Sequence, residues 1–348
     1  MSFILRISPH TRVRQNTSGI MLSVVIAAIP GLLAQIYFFG WGTLIQLLIA
    51  VSSAIALEVV TALVRKRPMS SMIRDNSGLV AAWLLAVAIP PQAPWWVIVI
   101  GITFALITAK QIYGGLGQNP FNPAMIGYVV LLTSFPLQMT SWLPPRSLAA
   151  NPISLSDSVS SIFTGFNSAG VDLMQMYLSV DGITIATPLD TVHTLTGTSY
   201  DIFSSPLLTA LIPGERSCWL WVNLSYLCGG LILLIRRIIR WHIPASVLLG
   251  ITVSSEIGWL MAPDIISSPM THLFSGATML GAFFIATDPV TSSTTNLGRI
   301  VFGIFIGIMI FIIRTWSGFP DGVAFAVLLG NMCVPLIDYY TKPRTYGH

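Results

Sequence analysis

Long apolar runs separated by short polar connections make up most of the chain between residues 19 and 340. In the first part of the chain the apolar windows are 19–39, 41–64, 77–90, 94–112 and 123–142, and in the second part they are 218–236, 242–262, 273–288, 296–316 and 321–340. Most are long enough for the roughly 20 residues that a helix needs to cross a bilayer. The pattern predicts an all-α polytopic membrane protein with about ten transmembrane helices, the third and eighth being short or broken.

Composition supports a membrane protein and argues against several classes of function. The chain is 54% hydrophobic and 9% charged, whereas soluble domains carry about 25% charged residues. Cys218, Cys228 and Cys333 are widely spaced, so they predict no metal or iron–sulfur site. The glycines of 114–117 lack the strand–turn–helix context of a dinucleotide-binding domain. We expect no nucleic-acid partner, and no direct hydride transfer from NADH to this chain.

Basic residues predict the orientation of the spans. With a cytoplasmic N-terminus, 14 of the 17 Lys and Arg fall on the cytoplasmic side, and only Arg146, Arg216 and Arg314 fall outside. This asymmetry follows the positive-inside rule. The chain then divides into a first five-span half at 1–142, an exported segment at 143–217 and a second five-span half at 218–348, with both termini cytoplasmic.

The two halves also resemble each other. Ser77-Gly78 heads the run 79–91 and Ser275-Gly276 heads the run 277–289, at an offset of 198 residues, and Glu58 and Glu256 share the same offset. Because five is an odd number of spans, the second half must cross the bilayer in the opposite sense. We therefore predict two inverted five-helix repeats, in which short or interrupted spans mark the functional midplane.

Carboxylates inside the predicted spans are candidates for ion coupling. A carboxylate near a helix centre costs about 2.5–3.5 kcal/mol on insertion scales, so Glu58 and Glu256 should face the interior of the bundle. They either form a pseudo-symmetric pair beside an ion or proton path, or are protonated carboxyls that hold helices together. Asp288 either joins the ion path or caps the following helix.

The exported segment contains a threonine in an accessible setting. Pro188 biases Thr187 toward an extended backbone, and Asp181 and Asp190 flank it. An extended hydroxyl in a polar loop is available to a modifying enzyme, which indicates a cofactor attachment point.

At these residues the chain resembles the RnfD/NqrB family of membrane subunits. The similarity covers essentially the whole chain, including Ser8-Pro9-His10, the loop 114–123, the half-span 275–289 and the exported threonine. The resemblance implies FMN joined through its phosphate to Thr187 by a flavin transferase outside the cytoplasm. The family pattern is Asp-x-x-Ser/Thr-Gly-Ala-Thr. Asp181, Thr184, Ala186 and Thr187 match it, while Ile185 replaces the glycine.

Ser275-Gly276-Ala277-Thr278 matches the end of that pattern more literally. However, His272 stands where the pattern requires aspartate, and Phe274 leads into an apolar span. A hydroxyl inside the membrane is out of reach of a soluble transferase, so small residues there favour close helix packing instead.

The resemblance further implies membership in an Rnf-type complex in the bacterial inner membrane, which couples electron transfer between NADH and ferredoxin to ion translocation. FMN on Thr187, in the periplasmic loop, would relay electrons, and a non-covalent riboflavin would lie between the spans. The implied partners are RnfA, RnfB, RnfC, RnfE and RnfG. Two alternatives stay open: a flavin-free inverted-repeat channel or secondary transporter, and a scaffold protein that has lost its flavin.

Overall fold

The computed structural model describes residues 16–66, 68, 75–143, 145–146, 153–168, 170–171, 206–263, 266–319 and 321–342, with side chains of the 206–235 helix described from residue 218. Every regular element in those ranges is a helix. In chain order they are α1 (Thr17–Phe39), α2 (Gly42–Val64), α3 (Ser77–Ala88), α4 (Trp95–Gln111), α5 (Pro123–Ser134), α6 (Pro136–Thr140), α7 (Leu155–Thr164), α8 (Pro206–Ile235), α9 (His242–Met261), α10 (Pro269–Phe274), α11 (Thr278–Leu280), α12 (Asn296–Trp316) and α13 (Val323–Tyr340).

Six of these helices are long and apolar enough to cross a membrane: α1, α2, α8 from Cys218 onward, α9, α12 and α13. Helices α3, α4 and α5 are apolar but shorter. These observations confirm a polytopic membrane protein that is all-helical in its described ranges. The division into a first half, an exported segment and a second half stays a prediction.

The third and eighth apolar windows form short or interrupted helices. Helix α3 has 12 residues. In the eighth window α10 ends at Phe274, and the chain resumes helical form at Thr278 as α11, which continues as a π-helical segment over Gly281–Ile285. Gly276 between them has φ +60°, a left-handed conformation that glycine adopts without steric cost.

Two other windows differ from their predicted extents. The window 123–142 contains two helices, because Pro136 disfavours helical geometry at Phe135, which has φ −133° and ends α5. Helix α8 begins at Pro206, 12 residues before the predicted start at 218. The remaining helices match their windows within a few residues.

Small residues allow the long helices of the second half to pack closely. A Cβ added at Gly307 of α12 would lie 2.4 Å from the Val247 carbonyl oxygen of α9, and one at Gly303 would lie 2.8 Å from the Ser246 Cβ. Since neither space could hold a methyl group, these glycines set the α9–α12 separation.

The two ends of the helix bundle carry different charges. We call the end that holds Arg65, Lys66, Arg236, Arg237 and Arg240 the basic face. The opposite end, where α7 packs against α2 and the Arg146 backbone N–H donates to the Phe38 carbonyl at 2.8 Å, is called the loop face.

Candidate functional site

A largely apolar cavity opens between the helices toward the loop face, and its space including the open mouth is about 830 Å³. Residues from α1, α3, α5, α6, α8, the interrupted span and α13 line it. Its main side chains are Gln35, Val87, Met125, Tyr128, Met139, Trp142, Trp219, Val222, Tyr226, Leu280, Asp321 and Val323.

Aromatic rings form one side of this cavity. The ring centroids of Trp142 and Trp219 lie 5.3 Å apart, and Phe39 completes a triad at 5.7 and 5.2 Å from them. The two pairs that involve Trp142 are edge-to-face, an arrangement that stabilises aromatic rings beyond simple burial. The cavity therefore has a rigid aromatic surface, which suits a flat conjugated ligand.

Two buried polar atoms at the cavity have no partner among the described residues. The Gln35 amide donates through Nε2 to the Val87 carbonyl at 3.1 Å, but its Oε1 accepts nothing there. The Tyr226 hydroxyl is also unpartnered, and the side chains are only 4% and 2% exposed. An unsatisfied buried polar group costs about 1–3 kcal/mol. A ligand in the cavity could donate a hydrogen bond to the Gln35 Oε1, and could either donate to or accept from the Tyr226 hydroxyl.

The interrupted span borders the same cavity, and Asn223 of α8 satisfies its broken backbone. The Asn223 Nδ2 donates to the Phe274 and Gly276 carbonyls, both at 3.1 Å, and its Oδ1 accepts from the Met279 N–H at 3.2 Å. Non-helical backbone at membrane depth is tolerated where protein groups replace its lost hydrogen bonds. One amide thus bridges both sides of the break.

A buried ion pair also stabilises the interrupted span, from the side of α12. Arg314 of α12 contacts Asp321 through Nη2 at 2.9 Å and donates through Nη1 to the His272 carbonyl at 2.7 Å. Asp321 in turn accepts from the Ala277 N–H at 2.9 Å and lines the cavity. The carboxylate therefore links the cavity to the start of α11.

A second charged cluster lies toward the basic face. Lys110, near the end of α4, contacts Glu58 of α2 at 2.8 Å and Asp75 at 3.4 Å, and Lys110 and Glu58 are buried. Gly78 makes the approach possible, because a Cβ there would lie 2.4 Å from the Glu58 Oε1. The lysine partly compensates the burial of both carboxylates.

Lys110 also borders a smaller cavity, with a space of about 460 Å³ including its open mouth, whose polar lining includes Ser77, Asn119, Asn122 and Asp288. The Asp288 Oδ2 accepts a hydrogen bond from the Thr291 hydroxyl at 2.9 Å. The Asn122 side chain caps α5 and donates to the Ile285 carbonyl at 3.3 Å, joining the two halves of the sequence. The rest of its lining is apolar and includes Met21, Leu84 and Phe284.

The structure places the predicted carboxylates differently from one another. Glu58 faces the interior, as expected, and Asp288 lines the smaller cavity. The expectation that Glu256 also faces the interior is wrong, because its side chain is exposed on the outer surface of α9. Glu58 and Glu256 therefore form no pair. Whether any of the three takes part in ion coupling stays a prediction.

The predicted flavin-attachment residue, Thr187, lies outside the described residues, as do Asp181 and Ile185. Thr278 of the literal motif is fully buried, and its hydroxyl donates to the His272 and Ser275 carbonyls at 2.8 and 3.1 Å. This hydroxyl holds the interrupted span and is enclosed by protein.

Sequence reasoning missed Gln35, Tyr226, Asn223 and the pairing of Lys110. Each is a polar residue inside an apolar window, and this placement could have marked it as a candidate site residue. The positive-inside rule treats Lys110 only as a cytoplasmic charge, although it lies within the window 94–112.

The fold defines a multi-pass membrane protein with an aromatic-lined cavity between its helices. The model of the NQR2, RnfD, RnfE family matches residues 4–347. This chain belongs to that family.

Relatives across several bacteria match the full chain, and each is named as the D subunit of an ion-translocating oxidoreductase complex. The protein from Vibrio cholerae serotype O1 (strain ATCC 39541 / Classical Ogawa 395 / O395) is 60% identical over 349 residues, which cover 100% of both chains. The protein from Vibrio vulnificus (strain YJ016) is 58% identical over 358 residues, again 100% of both. That of Escherichia fergusonii is 53% identical over 351 residues, covering 100% of this chain and 99% of the relative.

Proposed function

We propose that this chain is a membrane subunit of an Rnf-type ion-translocating oxidoreductase complex and relays electrons through bound flavin. Full-length relatives at 53–60% identity are named as a component of such a complex. The chain would act as part of a translocase and would not be catalytic alone. Its partners would be RnfA, RnfB, RnfC, RnfE and RnfG, together with a flavin transferase.

The proposal includes ten spans in two inverted halves in the bacterial inner membrane. A residue with positive φ lies just before each of the short helices: Asn76, at 55°, immediately precedes α3, and Gly276, at 60°, lies two residues before α11. A buried cation–carboxylate contact lies near the start of each, supplied by Lys110 and by Arg314. The basic face would be cytoplasmic and the loop face periplasmic, in agreement with the positive-inside rule.

The aromatic cavity carries the cofactor part of the proposal. The Gln35 Oε1 and the Tyr226 hydroxyl lack partners among the described residues, and the pyrimidine edge of a flavin ring offers both a donor and acceptors to such a pair. Trp142 and Trp219 would pack against the ring. We propose riboflavin for this cavity and covalent FMN for Thr187 in the periplasmic loop. A flavin supplies one-electron transfer, and these residues would bind it, orient it and exclude water.

The smaller cavity supports the ion-coupling part. Glu58, Lys110 and Asp288 are ionisable groups within the bundle, where such groups mark ion or proton paths. The buried side chains would exchange a cation or a proton with the cytoplasm while the complex turns over.

Covalent FMN is tested by denaturing gel electrophoresis after co-expression with the flavin transferase. We expect ultraviolet fluorescence in the wild type and in Thr278→Ala, and none in Thr187→Ala. A dark wild type would contradict the relay and favour a flavin-free transporter or scaffold. Fluorescence that survives in Thr187→Ala and disappears in Thr278→Ala would contradict the topology as well.

The cavity is tested separately by measuring non-covalent flavin released from the purified complex by acid. We expect Gln35→Leu to lower riboflavin content severalfold, because the ring loses its acceptor. Gln46→Leu on α2 is the matched control, since Gln46 is equally buried but does not line the cavity. Unchanged riboflavin content in Gln35→Leu would show that this cavity is not the riboflavin site.

A further inference from the structure

Glu256 is a carboxylate on the outside of a membrane helix. It lies on a stripe of α9 with Val253, Ile257 and Leu260, all of them exposed and apolar. The opposite face of α9 is occupied, since Gly250 packs against the Ile304 backbone of α12. Among the described residues, no hydrogen bond or ion pair involves Glu256.

Glu256 lies within the length of α9 and not at its end. Helix α9 has 20 residues, about 30 Å at 1.5 Å per residue, which equals the thickness of the bilayer core. Glu256 lies five residues before Met261, or about 7.5 Å below the end of the helix. Long lysine and arginine side chains can reach the interface from such a depth, whereas the glutamate side chain is shorter. Leu260 and Met261, nearer the end, are exposed and apolar.

We infer that this stripe of α9 docks a transmembrane helix of another subunit, and that this helix presents a lysine or arginine to Glu256. The inference rests on membership in a multi-subunit complex, which is part of the proposed function. Charge complementarity identifies the occupant. Lipid tails offer no partner to a carboxylate, whereas a basic side chain on a neighbouring helix would pair with it in the low dielectric of the membrane. The surrounding Val253, Ile257 and Leu260 provide the apolar contact that such a helix requires.

Photo-crosslinking in the complete complex tests the surface. A photoreactive residue is placed at Val253 or Leu260, and the control positions are Leu48 and Ile55, which are exposed on α2. We expect the α9 positions to crosslink to a transmembrane segment of another protein of the complex, and that segment to contain a lysine or arginine. Crosslinks to lipid alone, or to a segment without a basic residue, would overturn the inference.

Substitution of Glu256 tests the charge. Glu256→Leu should lower the recovery of the crosslinked partner with the tagged chain by roughly tenfold or more, because it leaves the partner's cation unpaired. Glu256→Gln, which keeps the size and hydrogen-bonding capacity, should lose less. Glu256→Lys combined with an acidic residue at the crosslinked cation should restore recovery. A lipid-facing Glu256 predicts the reverse, since Glu256→Leu would then be neutral or stabilising.

The controls separate this inference from the proposed function. Each variant must reach wild-type levels in the membrane and keep its flavin content. If the wild-type chain recovers no other protein of the complex, both the proposed function and the docking surface fail. If the wild type assembles and Glu256→Leu assembles equally well, only the docking surface fails.

Discussion

At the residue scale, the contact between Lys110 and Glu58 is the most consequential side-chain pair in the described first half. Both groups are buried, and the 2.8 Å separation permits a charge-assisted hydrogen bond. Removing one partner from a buried pair leaves an uncompensated charge, which costs more than removing both.

We therefore expect Lys110→Met to lower the free energy of unfolding by about 3–5 kcal/mol. Adding Glu58→Leu to that variant should recover most of the loss. The measurement is a thermal unfolding curve of the purified chain in detergent. Lys66→Met is the control, because Lys66 is exposed on the basic face. Equal effects of Lys110→Met and Lys66→Met would show that the buried pair adds little.

Gly78 offers an independent test of the same pair. In Gly78→Ala the new methyl would meet the Glu58 carboxylate, so the carboxylate must move away from Lys110. We expect a loss of about 1–3 kcal/mol, typical of overpacking. Gly19→Ala is the matched control, since nothing lies within 4 Å of its added Cβ. A stable Gly78→Ala would mean that Glu58 can shift without cost. The same unfolding assay serves both variants.

The interior position of Glu58 was predictable from the sequence, but its partner was not. Its apolar neighbours force a carboxylate inward, whereas Lys110 lies 52 residues further along the chain. Glu256 has equally apolar neighbours and faces outward. Because burying a carboxylate in the membrane is costly, each glutamate is expected to have a partner. This cost does not indicate whether the partner belongs to the same chain.

At the element scale, the interrupted span depends on hydrogen bonds from outside it. Asn223→Leu removes the donor to Phe274 and Gly276 and the acceptor for the Met279 N–H. We expect a loss of about 1–3 kcal/mol for each group left unsatisfied. Amide hydrogen exchange should accelerate over residues 274–280 and not in α12. Unchanged exchange would show that the remaining contacts of Arg314, Asp321 and Thr278 hold the break without Asn223.

Helix α7 is stabilised by a capping box that responds to pH. The Ser154 hydroxyl and the Asp157 N–H pair at the N-terminus of the helix, and hydrogen bonds from Ser154 and Ser168 lower the pKa of Asp157 to about 2. Because the folded pKa is depressed, the stabilisation is present above the unfolded pKa and is lost as the pH falls toward 2.

We expect amide exchange in α7, corrected for intrinsic rates, to be constant from pH 7 to about pH 4 and to accelerate at lower pH. In Asp157→Asn this acceleration should disappear. A wild-type profile that matches the variant at every pH would contradict a role for the ionised carboxylate in the cap.

The helices and the short or broken third and eighth spans were predictable, while the break at Phe135 and the start of α8 were not. Windows 242–262 and 296–316 correspond closely to α9 and α12, since hydrophobicity alone gives the length of a span. The break at Phe135 follows from Pro136, a local signal that the window average concealed. The start of α8 at Pro206 lies in a polar segment, where a hydropathy window predicts no helix.

At the scale of the whole molecule, the orientation in the membrane can be tested with single cysteines. In a chain that lacks Cys218, Cys228 and Cys333, Ser156→Cys reports on the loop face and Lys66→Cys on the basic face. We expect a membrane-impermeant maleimide to label Ser156→Cys in intact spheroplasts, and Lys66→Cys only after permeabilisation. The opposite pattern would invert the topology and leave Thr187 out of reach of a periplasmic transferase.

The aromatic cavity could not be predicted from the sequence, because its residues come from spans that are far apart in the chain. Gln35, Trp142 and Tyr226 come from three separate spans, and an apolar window does not specify which spans are neighbours. The unpartnered atoms that make the cavity a candidate site are visible only after the helices are packed.

The helices on either side of residue 187 limit the reach of any group carried there. Helix α7 packs against α2 and ends at Thr164, and α8 begins at Pro206. Residue 187 lies 23 residues after Thr164 and 19 before Pro206. Even a fully extended tether of 19 residues spans only about 65 Å. A carrier attached there meets its docking site at a fixed effective concentration, so its rate of electron exchange within the assembly should not change on dilution.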